Sequence, residues 1–400
     1  MADLAAQTTL LVDPLGPHPT VCRDPRDDYL VLDGTIALPA AARLRNHWAM
    51  TASLTDPWML GPLRVPNRVL LAPLAGIGNW FVRLQAKRYG AGMAFSEMVS
   101  SHAIHYGNEK TCVEMLRIHP DERRPTDGPG DGGLVAPIAI QLFGEDPAIM
   151  RFAAAHVAAV GADAIDINMG CPVPKVRKTG AGVGLLADPD RAVALARAAR
   201  AGAADAGREL PVTVKLRSGL RPGETSGFAL AHRLVEEAGV AAIAFHPRSA
   251  AVHHKGAPDY ELAARLVRSL PAPVILTGGL GDAPRAREAH RATGAAAVML
   301  ARGALGNPWL FRRLLSGCER EPAPSEVLDE LRWTIERAVE HLGEPRATRY
   351  LRKFYPWYVV RLGLDPAEAK RLGESLQTAE TLGVVNGLLE PETASAMALA

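Results

Sequence analysis

Residues 164–201 read AIDINMGCPVPKVRKTGAGVGLLADPDRAVALARAARA. The short apolar run AIDINM breaks at glycine, cysteine and proline, and a loop rich in glycine and positive charge follows. From Pro189 to Ala201, apolar residues recur at helical spacing. That is one strand–loop–helix unit. Seven more strand-like runs flank it from about residue 68: RVLLAP (68–73), MAFSEM (93–98), PIAIQLFG (137–144), PVTVKLRSG (211–219), AAIAFHPRS (241–249), PVILTGG (273–279) and AAVMLARG (296–303). Stretches rich in Ala, Arg and Leu lie between them. Near-continuous apolar strands alternating with amphipathic helices belong to a parallel sheet covered by helices. Eight such units closing near residue 303 predict an α/β fold of the (β/α)8 TIM-barrel type. A doubly wound open sheet is the alternative.

Length and composition agree, since 400 residues suit one large barrel with an appendage. Hydrophobic residues make up 48% and charged residues 22%, as in a soluble globular protein. No apolar run approaches the roughly 18 residues that span a bilayer, so no membrane partner is expected. The four cysteines, Cys22, Cys112, Cys171 and Cys318, are scattered without a CxxC pair, and the N-terminus lacks a basic region leading into an apolar one. A reducing cytoplasm and a chain without a metal site are the expectation. A net charge of +2 neither requires nor excludes a nucleic acid, so a basic footprint has to be local.

In a barrel of this kind the active site is built from whatever follows each strand. In order, the ends carry Pro73 with Ala75 and Gly76, Glu97, Gln141, Asn168 with Cys171, Lys215, His246 with Arg248, Gly278 with Gly279, and Arg302 with Gly303. A single Gln or Lys at a strand end is ordinarily a solvated terminus. Eight chemically apt ends on one rim are not so easily explained. The runs TGG and ARGALG expose backbone N–H groups where glycine permits close approach, and barrels bind phosphate at the loops after strands seven and eight. No GxGxxG opens the first unit, which argues against a Rossmann-type nicotinamide domain. FMN suits the rim, with Gln141 addressing the isoalloxazine edge and Lys215 placing a positive charge near N1 and O2.

Taken together, APLAGIGN (72–79), SEMVSS (96–101), DINMGCPVPKV (166–176) with GAG (180–182), VKLRSG (214–219) and ARGALGNPWLF (301–311) resemble the tRNA-dihydrouridine synthase family, over about residues 60–360. The resemblance implies a TIM barrel carrying FMN, a helical C-terminal domain that helps hold tRNA, and NADPH as reductant. It implies FMN contacts at Pro73, Leu74, Ala75, Gln141, Lys215, Thr277, Gly278, Gly279, Ala301 and Arg302, and Cys171 as the catalytic acid. Reducing the C5=C6 bond of uridine needs hydride at one carbon and a proton at the other. A thiol, with its reference pKa of about 8.5, holds a proton at neutral pH. His246 is placed to hydrogen-bond flavin or substrate, and Asn168, Lys175, Lys178 and Arg248 are expected on the substrate side, with the lysines facing tRNA phosphate. Cys22, Cys112 and Cys318 read as small buried packing residues.

Two segments depart from the family pattern. His-Gly-Arg-Thr is replaced by His246-Pro247-Arg248-Ser249, and Asn-Gly-Asp by Thr277-Gly278-Gly279. Phosphate binding should survive, because that turn contributes backbone N–H groups. The cationic run Val252-His253-His254-Lys255 reads as a solvated loop.

The proposed domains are an N-terminal extension of unknown role (1–58), the FMN barrel (59–320) and a smaller all-helical tRNA-binding domain (321–400). DYLVLDG (28–34) and LPAAARLRNHW (38–48) suggest a strand and a helix in the first, and EPAPSE (321–326) marks the linker to the third. From Arg346 to Arg371 there are seven Lys or Arg against two acids, interleaved with Tyr350, Phe354, Tyr355, Trp357 and Tyr358. Arg349, Arg352 and Lys353 are candidates for phosphate contact. The aromatics either stack on bases or pack this domain on the barrel. The expected activity is FMN-dependent reduction of specific tRNA uridines by a monomer. The alternatives are an FMN barrel acting on a free small molecule and an RNA-binding barrel without catalysis.

Overall fold

The computed structural model describes residues 31–32, 35–36, 52–124 and 135–390. Residues 1–48 and 49–400 form separate compact units. In the first, Val31–Leu32 pairs antiparallel with Thr35–Ile36; the expected helix over 38–48 and Cys22 lie outside the described residues.

In the second unit, eight parallel strands close into a barrel in sequence order. They are β1 (Val69–Leu71), β2 (Met93–Ser100), β3 (Ile138–Phe143), β4 (Ala164–Met169), β5 (Val212–Arg217), β6 (Ala242–His246), β7 (Val274–Thr277) and β8 (Ala297–Leu300). Each falls within one of the eight apolar runs or overlaps it. A helix follows every strand: α1 (Trp80–Arg88), α2 (Ser101–His105), α3 (Pro147–Ala159), α4 (Pro189–Asp205), α5 (Ser226–Ala238), α6 (Tyr260–Ser269), α7 (Ala283–Thr293) and α8 (Trp309–Ser316). Local chemistry fixes several starts. Asp146 and Asp188 accept hydrogen bonds from first-turn N–H groups, and each is followed by a proline at the first helical position.

The barrel explains why both faces of the strands are apolar. Val69, Leu71, Ile138, Ile140, Ile165, Ile167, Val212, Val214, Ile243 and Phe245 share the cluster that packs against the helices. Leu70, Met93, Phe95, Ala139, Ala164, Ala242, Ala244, Ile275, Ala297 and Met299 fill the interior. Alanines leave room there for the larger Met and Phe side chains. The antiparallel hairpin Trp58–Leu60 and Leu63–Val65 closes the N-terminal end, contributing Trp58, Leu60 and Val65 to the same cluster. Trp58 Nε1 donates to the carbonyl of Asn67 at 3.0 Å. Toward the C-terminal end the inward positions turn polar, with Gln141, Asp166, Asn168, Thr213, Lys215, Arg217 and His246.

Five more helices follow: α9 (Pro324–Leu342), α10 (Glu344–Leu351), α11 (Tyr355–Val359), α12 (Pro366–Thr378) and α13 (Leu382–Leu388). They meet the barrel through buried polar groups on α1. Gln85 Nε2 donates to Glu330 Oε1 (2.8 Å) and to Tyr358 Oη (2.8 Å), and Tyr89 Oη donates to Glu330 Oε2 (2.8 Å). Around the edge, Arg346 pairs with both oxygens of Glu114 at 2.7 Å, and His119 Nε2 lies 2.9 Å from Glu340 Oε1. Among the described residues no helix is long and apolar enough to cross a membrane. No group of three or more His, Cys, Asp or Glu there could hold a metal ion.

Candidate active site

Four cations converge on the C-terminal mouth of the barrel: Lys215 and Arg217 from β5, Arg248 after β6 and Arg302 after β8. Their mutual influence shows in the imidazoles beside them. Burial, followed by Lys215, Arg217 and Arg248, holds His246 far below the usual histidine range. His246 is therefore neutral. His254, stacked 6.2 Å from it, is pushed down to about 4 by burial and then by Arg302, Arg217 and Arg248. In the run 252–255, His253, His254 and Lys255 are exposed as expected and Val252 is half-buried, but the structure ties the run to the site. Arg217 Nη1 donates to the carbonyls of Ser249 (3.1 Å) and His253 (2.8 Å), and Arg248 Nη2 donates to Gly256 O (2.7 Å). His253 is the one non-glycine residue at positive φ among the described residues, at 51°, a conformation that such ties hold in place.

A cofactor phosphate fits this mouth. The turn after β7 uses Gly278 at φ 101° and Gly279 at φ 79°. A β-carbon on Gly278 would fall on the His246 ring, and one on Gly279 would lie 2.6 Å from Pro258 Cγ and Tyr260 Oη. Tyr260 Oη donates to the carbonyl of Gly278 (3.0 Å). A β-carbon on Gly303, beside Arg302, would come 2.6 Å from the carbonyl of Leu280, so the loops after β7 and β8 are in close contact. The cradle is thus bare backbone beside uncompensated guanidinium groups, which matches an anion. Where the family pattern has an acid, this chain has Gly279, which leaves the cradle the more cationic.

Next to it, after the strand that pairs with β8, the loop carrying Pro73, Leu74 and Ala75 is pinned at its next residue. Gly76 N–H donates to Glu97 Oε2 (2.7 Å), and its carbonyl accepts from Lys353 Nζ (2.5 Å). The pairing of β2 with β3 shifts register between Phe95 and Met98, and this irregularity falls at Glu97.

Across the mouth from these loops, Cys171 sits half-buried at the end of β4. Asn168 Oδ1 accepts from the N–H groups of Gly170 (3.2 Å) and Cys171 (2.9 Å), closing the turn that carries the thiol. Val183 N–H donates to the Cys171 carbonyl (3.1 Å). Gly182, at φ 59°, lies beneath it, and a β-carbon there would approach that carbonyl to 2.8 Å. The last glycine of the GAG run is thus a packing requirement of the thiol's turn. Lys175, Arg177 and Lys178 stand exposed on and beside the one-turn helix Pro174–Arg177, their side chains without a hydrogen-bond or ion-pair partner among the described residues.

Below the thiol lies a buried network. Gln141 Nε2 donates to Asp166 Oδ2 (2.5 Å), Thr213 Oγ1 donates to Asp166 Oδ1 (2.5 Å), and Asn168 Nδ2 donates to Gln141 Oε1 (2.9 Å). Burial raises Asp166 to about 6, against the pull of Thr213, Gln141 and Lys215. Sequence reading missed Asp166, Thr213 and Arg217. The available signal was a carboxylate in the middle of an apolar strand, a residue almost never fully buried without partners.

The C-terminal candidates separate. Arg349 is exposed and unbonded. Arg352 donates to the carbonyl of Ala379 (3.1 Å) and buries its Nε, and Lys353 lies 3.8 Å over the Tyr350 ring while bonding Gly76. Arg352 is half-buried and Lys353 exposed, and both already have a backbone carbonyl as partner, unlike Arg349. Phe354, Tyr355 and Tyr358 are buried. Asn79 Nδ2 donates to Tyr350 Oη (2.5 Å), and Gly306 has no room for a β-carbon because Trp357 lies against it. Of the two readings of these aromatics, packing on the barrel is the one the structure favours. Cys318 is exposed and Cys112 half-buried, so neither is the buried packing residue expected.

Burial, and then Arg217, holds Lys215 down to about 8. A lysine lowered in the folded state costs stability below about pH 8, and the cost is relieved as pH rises, because the unfolded chain stays protonated to 10.5. An anion in the mouth favours the charged form, so binding takes up a proton above pH 8. The affinity of the protein for a phosphate-bearing flavin should therefore fall by up to roughly tenfold per pH unit above about 8. Lys215→Met should flatten that slope in a fluorescence titration; an unchanged slope would place the charge elsewhere.

The chain matches the dihydrouridine synthase family model over residues 70–390. It is 34% identical to tRNA-dihydrouridine synthase B of Pseudomonas aeruginosa over 314 residues, covering 76% of this chain and 87% of that protein. It is also 34% identical over 341 residues to a probable tRNA-dihydrouridine synthase of Rhodobacter capsulatus, covering 84% and 99%. Among solved structures, morphinone reductase aligns with 69% of this chain and 92% of its own at a TM-score of 0.45 and 21% identity.

Proposed function

Because the chain belongs to the dihydrouridine synthase family, we propose that it reduces the C5=C6 bond of particular uridines in tRNA, with FMN in the barrel mouth and NADPH as reductant. The observation that carries this reading is the capped Cys171 turn standing on the same rim as a bare-backbone, cationic phosphate cradle. FMN, when bound, supplies the hydride for C6. The protein's own groups do the rest. Gln141, fully buried with one N–H committed to Asp166, would turn its second N–H toward a ring in the mouth. Lys215 contributes a positive charge that favours electron density near it, and neutral His246 offers a hydrogen bond without adding charge. Cys171 holds the proton for C5, and Gly76, Glu97 and Lys353 keep the Pro73–Ala75 loop in place. Residues 59–320 serve as the FMN barrel. The helices of 321–400 and the exposed cations Lys175, Lys178 and Arg349 serve the tRNA.

The purified protein should carry flavin absorption and release FMN on denaturation. With NADPH it should add two hydrogens to uridines of unmodified tRNA, read by nucleoside mass spectrometry. A flavoprotein that reduces a free enone or pyrimidine and leaves tRNA untouched would replace this reading with a small-molecule reductase.

A further inference from the structure

The buried bonds beneath Cys171 all run one way. The N–H groups of Gly170 and Cys171 donate to Asn168 Oδ1, Asn168 Nδ2 donates to Gln141 Oε1, Gln141 Nε2 donates to Asp166 Oδ2, and Thr213 donates to the remaining oxygen. A carboxylate accepts and never donates, whereas each amide has one end of either kind. A terminal acceptor therefore dictates how the adjacent amide is turned, and that amide dictates the next. We propose that Asp166 is a positioning residue: as the terminal acceptor of this relay it fixes the orientation of Gln141 and Asn168, and through them the backbone turn that presents Cys171. The relay joins two parts of the site that touch different molecules under the proposed function, on which this inference rests: Gln141 toward the cofactor and Cys171 toward the base. Asp166 is itself fully buried and touches neither.

The geometry supports action through bonds rather than bulk. Asp166 and Asn168 are alternate residues of β4 and both point into the barrel, where Gln141 is directly opposite Asp166 in the ladder with β3. The two side chains of β4 are linked only through the Gln141 amide, which uses both its ends on them. A further bond, from Gln141 N–H to Ser96 Oγ (2.9 Å), holds the backbone of that residue and leaves its amide to the relay. Lys215 stands beside the acceptor end as its nearest positive charge.

The test needs neither turnover nor tRNA. With Cys22, Cys112 and Cys318 replaced by serine, Cys171 is the sole thiol, and its alkylation by iodoacetamide in the FMN-free protein reports on the turn. Asp166→Leu keeps the branched shape and removes both acceptors. It should speed alkylation about fivefold, the effect of losing a helix-cap-like bond, and weaken FMN binding. Gln141→Met, which cuts the relay in the middle, should raise alkylation equally, and adding Asp166→Leu to it should change nothing more. Asp166→Asn should stay within about twofold of wild type, because the Thr213 hydroxyl can turn to accept and leave the amide oxygen for Gln141. Additive effects of Asp166→Leu and Gln141→Met, or a wild-type alkylation rate in either, would overturn the proposal. If Asp166→Leu does not fold, Gln141→Met alone decides, since a cut relay with an unchanged thiol rate is incompatible with it. A protein that binds no flavin yet shows this pattern would refute the proposed function and leave the relay standing.

Discussion

Cys171→Ala is expected to slow single-turnover oxidation of the prereduced enzyme by unmodified tRNA by roughly 10²- to 10⁴-fold, the range for removing a positioned acid. Reduction by NADPH should continue at the wild-type rate. The split follows from where the thiol stands. Cys171 is half-buried in a turn closed by Asn168 and floored by Gly182, across the mouth from the phosphate cradle at Gly278 and Gly279, so its loss removes a proton donor without touching the residues that would hold the cofactor. Cys171→Ser preserves the size and the backbone turn, and it should fall near the alanine value because a hydroxyl is a much weaker acid than a thiol. If both variants reoxidise on tRNA at the wild-type rate, the thiol is a packing residue and another group on the rim supplies the proton.

The barrel was legible because its signal is repeated eight times. Apolar faces on both sides of each strand, with Asp-Pro or Gly at the unit boundaries, leave few other arrangements. The rim was legible for a similar reason, since position at a strand end is itself informative in this fold. What could not be read was the partner of each polar side chain. Nothing in the spacing of Arg352 and Lys353 distinguishes a free cation from one bonded to Ala379 or Gly76, because both partners are backbone carbonyls far away in sequence. The aromatics of 350–358 satisfied two patterns at once, base stacking and packing, and the tertiary contact with Phe81, Gln85 and Gly306 favours packing. His254 looked like one charge in a polar loop, and only the chain reversal held by Arg217 and Arg248 brings it over His246. Asp166 was passed over because it lies inside a strand run, where the pattern directs attention to the apolar residues.

Reversing the charge of Lys175, Lys178 and Arg349 together is expected to make the dependence of tRNA affinity on salt shallower. The slope of log affinity against log salt should fall by about 2 to 3, since each lost phosphate contact removes roughly 0.7 to 0.9. The choice of residues rests on what each cation already touches. Lys175, Lys178 and Arg349 are exposed and their side chains have no hydrogen-bond or ion-pair partner among the described residues, so their charge is free to displace counterions from phosphate. Arg346 is neutralised by both oxygens of Glu114, Arg352 is tied to Ala379, and Lys353 is drawn to Gly76 beside Glu97. Substituting Arg352 or Lys353 should therefore leave the salt slope nearly unchanged. Lys353→Ala should act instead on FMN affinity, because it releases the carbonyl of Gly76 in the Pro73–Gly76 loop. Filter binding between 50 and 200 mM salt separates the two sets, as slope reports phosphate contacts whatever the absolute affinity. A slope that responds to Arg352 and Lys353 but not to Lys175, Lys178 and Arg349 would take the Cys171 loop out of the tRNA surface and shift the contacts on the helical region from Arg349 to Arg352 and Lys353.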